Sequence, residues 1–219
     1  MIGVVLFPGS NCEQDAIEAI RSLGGDADLL WHGDDTVGDA DAVVVPGGFA
    51  HGDYLRPGAI ARFSPIMGAV AKFAADGGPV VGICNGFQVL TEAGLLPGAL
   101  QKNRGLKFLC TTVGLRVETN RSALTSEAEV GSVLRIPINH FEGNYTCSPE
   151  TLRQLHDEDR VVLRYVDNPN GSIDDIAGVC SEGRNVVGLM PHPERACNEL
   201  LGSTDGQPLL RSLIAAARV

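Results

Sequence analysis

Long apolar runs are missing from this sequence. Every hydrophobic stretch in the 219 residues is broken by glycine, proline or a charge. None approaches the roughly 20 apolar residues that a membrane-spanning helix needs. A basic surplus is missing too. Seventeen Lys and Arg stand against 27 Asp and Glu, a formal net charge of -10. That balance excludes non-specific nucleic-acid binding, which rests on a cationic face. Six cysteines occur, at 12, 84, 110, 147, 180 and 197, and no two make a Cys-x-x-Cys pair. The usual zinc and thioredoxin patterns are thereby removed. The start, Met1 to Asn11, has no basic flank and reads directly as a strand. It is expected to be folded structure and not a secretory signal, so a disulfide framework is not expected either. A reducing cytoplasm is the expected compartment, with most cysteines as small buried hydrophobes. No Gly-x-x-x-x-Gly-Lys-Ser/Thr loop and no Gly-x-Gly-x-x-Gly turn is present, so no nucleotide site is recognisable.

What is present alternates. Ile2 to Phe7 is a continuous apolar run, as in a strand covered on both faces. Pro8-Gly9-Ser10-Asn11 forms a turn, with Ser10 or Asn11 placed to cap a helix. Ala16, Ile17, Ile20 and Leu23 then recur at helical spacing until Gly24-Gly25. Further strands are predicted at 27–31, 42–45 and 80–84. Helices are predicted around Ile60, Phe63, Met67, Val70 and Ala74, and from Gly86 to Ala93. This alternation predicts an α/β fold built on an open, mostly parallel sheet with flanking helices. After residue 107 strands dominate, and Glu182-Gly183-Arg184-Asn185 looks like a hairpin turn, so antiparallel strands are expected to extend the sheet in the C-terminal half. A final helix is expected at 209–217. No linker or repeat interrupts the chain, which predicts one domain over 1–219. Asp34 to Asp39 and Glu118 to Gly131 are the candidate mobile loops.

The sharpest local feature is Gly82-Ile83-Cys84-Asn85-Gly86, which ends one predicted strand and opens a helix. It has the form of a nucleophile elbow carrying a thiol. Glycines flank it because side chains there would collide with the turn. The helix N-terminus favours a thiolate at Cys84, and the backbone N–H of Asn85 can donate to an oxyanion. A thiol nucleophile needs a base. Of the five histidines, His156 lies in a polar helix, His32 at a strand end, and His51 and His140 in polar loops. His192 differs: it sits between Pro191 and Pro193, directly after a predicted strand, with Glu194 two residues on. Cys84, His192 and Glu194 thus supply nucleophile, base and orienter. Pro46-Gly47-Gly48-Phe49 follows the third strand, at the sheet edge where sites of open α/β folds gather. Gly48 there can offer a second oxyanion N–H.

In this order, Pro46-Gly47-Gly48, Gly82-Ile83-Cys84-Asn85-Gly86 and Pro191-His192-Pro193-Glu194 resemble the class I, triad-type glutamine amidotransferases. The finer pattern is similar to the family of glutaminase subunits of phosphoribosylformylglycinamidine synthase. Phe7 to Cys12, Gly52-Asp53-Tyr54-Leu55-Arg56, Ala59 to Pro65, Phe87 to Leu90, Asn168 to Ser172 and Met190 to Ala196 carry it across nearly the whole chain. His51, Asn139 and Phe141 depart from that pattern, in which Tyr and smaller residues are expected. The resemblance implies a flavodoxin-like fold and hydrolysis of glutamine to glutamate and ammonia, with Gln88 lining the glutamine pocket. It also implies two partners: a larger synthetase subunit (PurL), which would hold ATP and Mg, and a small one (PurS). The acceptor would be formylglycinamide ribonucleotide. No metal or cofactor is expected on this chain. A γ-glutamyl hydrolase or peptidase of the same fold, or a non-catalytic docking protein, are the alternatives.

Overall fold

A computed structural model describes residues 1–218. The chain opens with β1 (Ile2–Leu6), α1 (Glu13–Ser22), β2 (Ala27–Trp31) and β3 (Ala42–Val45). It continues with α2 (Pro65–Ala75), β4 (Val80–Ile83) and α3 (Asn85–Glu92). The later half holds β5 (Ala99–Gln101), β6 (Leu109–Val117), β7 (Val133–His140), β8 (Asn144–Thr146) and α4 (Pro149–Asp157). It ends with β9 (Val161–Tyr165), β10 (Ile176–Cys180), β11 (Val186–Leu189) and α5 (Gln207–Ala216).

Nine strands form one sheet in the order β2-β1-β3-β4-β11-β10-β9-β6-β7. From β2 to β11 every neighbouring pair is parallel. From β11 to β7 every pair is antiparallel. The parallel interior follows from sequence: β3 reads AVVV, β4 VVGI and β11 VVGL, and all these residues are buried. Strands covered on both faces need no polar alternation. At the outer edges β7 alternates and β2 is partly exposed, leaving Val133 and Trp31 at the surface. A separate pair, β5 with β8, lies outside the sheet.

β11 enters the sheet beside β4, with Gly82 opposite Gly188 and Ile83 opposite Leu189. Segments a hundred residues apart in sequence therefore finish at one sheet edge. Phe87 of α3 needs the bare Gly188 beneath it, since a Cβ there would sit 2.1 Å from its ring.

Several local expectations give way. Neither Ser10 nor Asn11 caps α1. Cys12 occupies the cap position without a side-chain bond, Ser10 Oγ accepts from Phe7 N–H at 3.2 Å, and Asn11 Oδ1 accepts from the Cys12 thiol at 3.1 Å. α2 starts at Pro65, later than its periodicity suggests. Ser64 is extended, as a residue before proline prefers to be. Phe63 therefore leaves the apolar stripe and is 74% exposed, under the Arg62 guanidinium. The Glu118 to Gly131 segment is pinned. Leu124 and Thr125 are fully buried, and Glu127 N–H donates to Ser212 Oγ at 2.8 Å. The Asp34 to Asp39 segment stays at the surface.

Candidate active site

Cys84 sits at the turn between β4 and α3 with φ 51° and ψ -106°. A non-glycine residue in that region costs about 1–3 kcal/mol, which the surrounding structure must hold in place. Two glycines make room for it. A Cβ on Gly82 would lie 2.6 Å from Leu90 Cδ1, and one on Gly86 would lie 1.8 Å from the Val45 carbonyl oxygen. Cys84 N–H donates to the Leu189 carbonyl of β11 at 2.8 Å, and its thiol points to the Asn139 carbonyl at 3.7 Å.

The same bond to Leu189 sets the distance to the base, because His192 is three residues further on. His192 N–H donates to the Pro137 carbonyl at 2.9 Å, and a 3₁₀ turn, Pro193–Arg195, follows. That turn brings Glu194 Oε1 to 2.5 Å from His192 Nδ1. Both side chains are buried, and His192 Nε2 has no partner among the described residues. The Nδ1 contact to a carboxylate fixes the tautomer and leaves Nε2 for chemistry. Burial opposes the imidazolium. The charges of Glu194 and then Cys84 outweigh it and hold the His192 pKa well above its usual value.

Gly47 is the hub between these groups. A Cβ there would stand 2.8 Å from His192 Cε1, 3.1 Å from Cys12 Sγ and 3.5 Å from Cys84 Cβ. Gly48 follows in the left-handed region, φ 136°. Phe49 N–H is spent on the Gly9 carbonyl at 2.9 Å, while Gly48 N–H and Asn85 N–H donate to no backbone carbonyl among the described residues. The Asn85 side chain ties the two donor segments together. Its Oδ1 accepts from Ala50 N–H at 2.9 Å, and its Nδ2 donates to Asp53 at 3.0 Å and to Gln88 Oε1 at 2.9 Å.

Cys84, His192, Gly48 and Gln88 line one cavity of 60 Å³. The Gln88 amide is committed to Asn85 and to the Glu142 carbonyl at 2.5 Å. His140 also lines it. It ends β7 and is buried, not looped out, and burial followed by the charge on His192 pushes its pKa down to about 4. Asn139 and Phe141 are at the same wall. His51 is outside it, packed against Phe7 and His32 and bonded to Ser64 Oγ at 3.1 Å. His156 pairs with Asp174 at 2.7 Å near the surface.

Cys12 is the site residue that sequence reasoning passed over. It is buried beside His192 and accepts from Arg195 Nη2 at 3.0 Å. Its signals were a place in the turn after β1 and at the end of the Phe7 to Cys12 stretch, neither of which points to His192. A larger cavity of 690 Å³ is lined by Asn139, Glu194 and Arg195 and does not include Cys84.

Fold and site geometry together are those of a triad-type glutamine amidotransferase domain. Residues 1–207 match the family described as CobB/CobQ-like glutamine amidotransferase domain. The chain is 59% identical over 218 residues to the phosphoribosylformylglycinamidine synthase subunit PurQ of Rubrobacter xylanophilus, covering 100% of this chain and 99% of that one. It therefore belongs to the PurQ family. The PurQ of Koribacter versatilis is 54% identical over 224 residues, covering 98% and 97%. A chain of the Thermotoga maritima PurLQS structure superimposes with a TM-score of 0.90 at 45% identity, over 98% of this chain and 97% of that one. A putative GMP synthase protein from Thermoplasma acidophilum shares the fold, with a TM-score of 0.67 at 17% identity, over 100% of this chain and 94% of that one.

Proposed function

We propose that this chain hydrolyses glutamine and supplies the ammonia to a partner synthetase that converts formylglycinamide ribonucleotide to the amidine. The observation that carries the chemistry is the pairing of β4 with β11, which sets the Cys84 elbow beside the buried His192–Glu194 pair. The Cys84 sulfur attacks the side-chain amide carbon of glutamine, and a C–S bond forms. The Gly48 and Asn85 N–H groups take the oxyanion. His192 Nε2 gives its proton to the leaving nitrogen as the C–N bond breaks, and ammonia departs. The imidazole then takes a proton from water, whose oxygen attacks the thioester, and glutamate leaves with the thiol restored. Gln88 lines the pocket and holds the wall formed at Glu142.

The relatives support the destination of the ammonia. Two PurQ proteins match along almost their whole length, and the Thermotoga maritima neighbour is part of a PurLQS assembly. By that relation the partners are PurL and PurS. ATP and Mg belong on PurL, and this chain carries no cofactor or metal for the reaction. Its place of action is the cytoplasm. Among the described residues no helix is long and apolar enough to cross a membrane.

The deciding experiment is Cys84→Ala assayed in the assembled complex with two nitrogen sources. Glutamine-dependent synthesis is expected to vanish and ammonia-dependent synthesis to persist. Retained glutamine-dependent synthesis would refute the assignment. Cleavage of peptides without ammonia release from glutamine would instead favour a peptidase or γ-glutamyl hydrolase.

A further inference from the structure

The cavity that holds Cys84 and Gln88 is also lined by two carboxylates, Asp53 and Glu142, and by no lysine or arginine. Neither carboxylate makes an ion pair among the described residues. Asp53 Oδ1 accepts from Asn85 Nδ2 at 3.0 Å, and the same Nδ2 donates to Gln88 Oε1 at 2.9 Å. The charge thus stands one amide away from Gln88, which in turn donates to the Glu142 carbonyl. Burial, with the charge of Glu142 added, holds the Asp53 pKa above its usual value, against hydrogen bonds from Asn85 and Gly58 that lower it. The backbone that presents Asp53 is strained: its φ is 51°, after His51 at 54°. Depth separates the groups. Cys84 is buried, whereas Asp53 and Glu142 are half-buried, which puts the thiol deep and the charges towards the mouth.

We infer that Asp53 and Glu142 bind the α-ammonium of the substrate and so restrict the site to free glutamine, excluding glutamine whose α-nitrogen is acylated, as in a peptide. This rests on the reading of Cys84 as the glutaminase nucleophile. Two like charges in one pocket repel, and a cation between them offsets that repulsion. Glutamine carries one cationic group, at the opposite end of the molecule from its side-chain amide. With the amide at the buried thiol, the ammonium falls towards the mouth, where the carboxylates are. Acylation removes the positive charge and leaves both carboxylates unpaired beneath a bound ligand, a mismatch that polar pockets reject strongly. Asp53 and Glu142 are specificity residues. They hold the part of the substrate that does not react, so their loss acts on KM more than on kcat.

The test measures two constants in the assembled complex: KM for glutamine, and the inhibition constant of 4-carbamoylbutanoate, which is glutamine without its α-ammonium. In the unsubstituted complex the inhibition constant is expected to exceed KM at least about tenfold. Asp53→Asn keeps an oxygen to accept from Asn85 and removes the charge. It and Glu142→Gln are each expected to raise KM at least about tenfold and the inhibition constant by less than about threefold, which closes the gap. A merely structural role would raise both constants by the same factor, and that result overturns the proposal. So does an unchanged KM in both variants, or an analogue that binds the unsubstituted complex as tightly as glutamine. If Asp53→Asn does not fold, Glu142→Gln decides alone. No ammonia from glutamine in the unsubstituted complex would sink the glutaminase reading and this proposal with it. Ammonia release with selectivity unaltered by the substitutions sinks this proposal only.

Discussion

Burial pulls the His192 pKa down, while its pairing with Glu194 and the charge on Cys84 together outweigh that pull. The contribution of that pair to stability is therefore present below the usual imidazole value and is lost as pH rises through the raised one. Glu194→Gln keeps the shape and removes the charge. It is expected to lower glutamine hydrolysis by about 10²–10⁴-fold, and to lower the His192 pKa, which NMR titration of the ring would follow. An unchanged pKa would show that Glu194 is not what holds the proton there. His140 has the opposite sign. Its pKa is down to about 4 from 6.5, so the folded chain takes up a proton later than the unfolded one. Stability is present above 6.5 and is lost as pH falls towards 4, by about 3 kcal/mol. Thermal unfolding midpoints across that interval should drop steeply, and less steeply in His140→Asn. At this scale Cys84, His192 and Glu194 were legible because their chemistry is written in their neighbours. Cys12 was not, since nothing next to it in sequence indicates that His192 will arrive beside it.

Where elements meet, two glycines separate stability from activity. Gly86→Ala drives a methyl into the Val45 carbonyl at 1.8 Å, so α3 must lift off β3. A loss of about 3 kcal/mol or more is expected from overpacking, seen as a lower denaturant midpoint. Gly47→Ala meets side-chain atoms instead, His192 Cε1 and Cys12 Sγ. It should fold with a smaller loss but show a lower kcat, because the imidazole has to swing away from Cys84. Equal effects of both substitutions on folding would contradict this division. Most strands and helices were legible from apolar periodicity. The exceptions have physical causes. Pro65 overrode the stripe containing Phe63, and Leu124 anchored a segment whose polar composition suggests a mobile loop. β5 and β8 are three residues each, too short to carry a period.

For the whole molecule, the cavity at Cys84 is the informative dimension. Sixty cubic ångströms is well under the roughly 300 Å³ at which small-ligand pockets begin. Glutamine cannot enter without movement of the walls at Phe49, Phe108 and Phe141, which line it. The isolated chain is therefore expected to be a poor glutaminase, with hydrolysis rising at least about tenfold when the synthetase partner is added. Full activity of the lone chain would refute this. The sequence disclosed both halves of the sheet and the change from parallel to antiparallel pairing. It did not disclose that β11 would be the strand adjoining β4, because strand adjacency across a hundred residues leaves no local pattern.

That adjacency has a consequence for the chain during its own synthesis. β4 is made about a hundred residues before β11, so a nascent chain that has not yet released β11 shows a bare sheet edge next to an elbow that lacks its base. A prematurely terminated product is thus an adhesive and chemically idle fragment, which quality-control proteases can recognise by that open edge. The reactive pair comes into being only once β11 and the turn at His192 have joined β4.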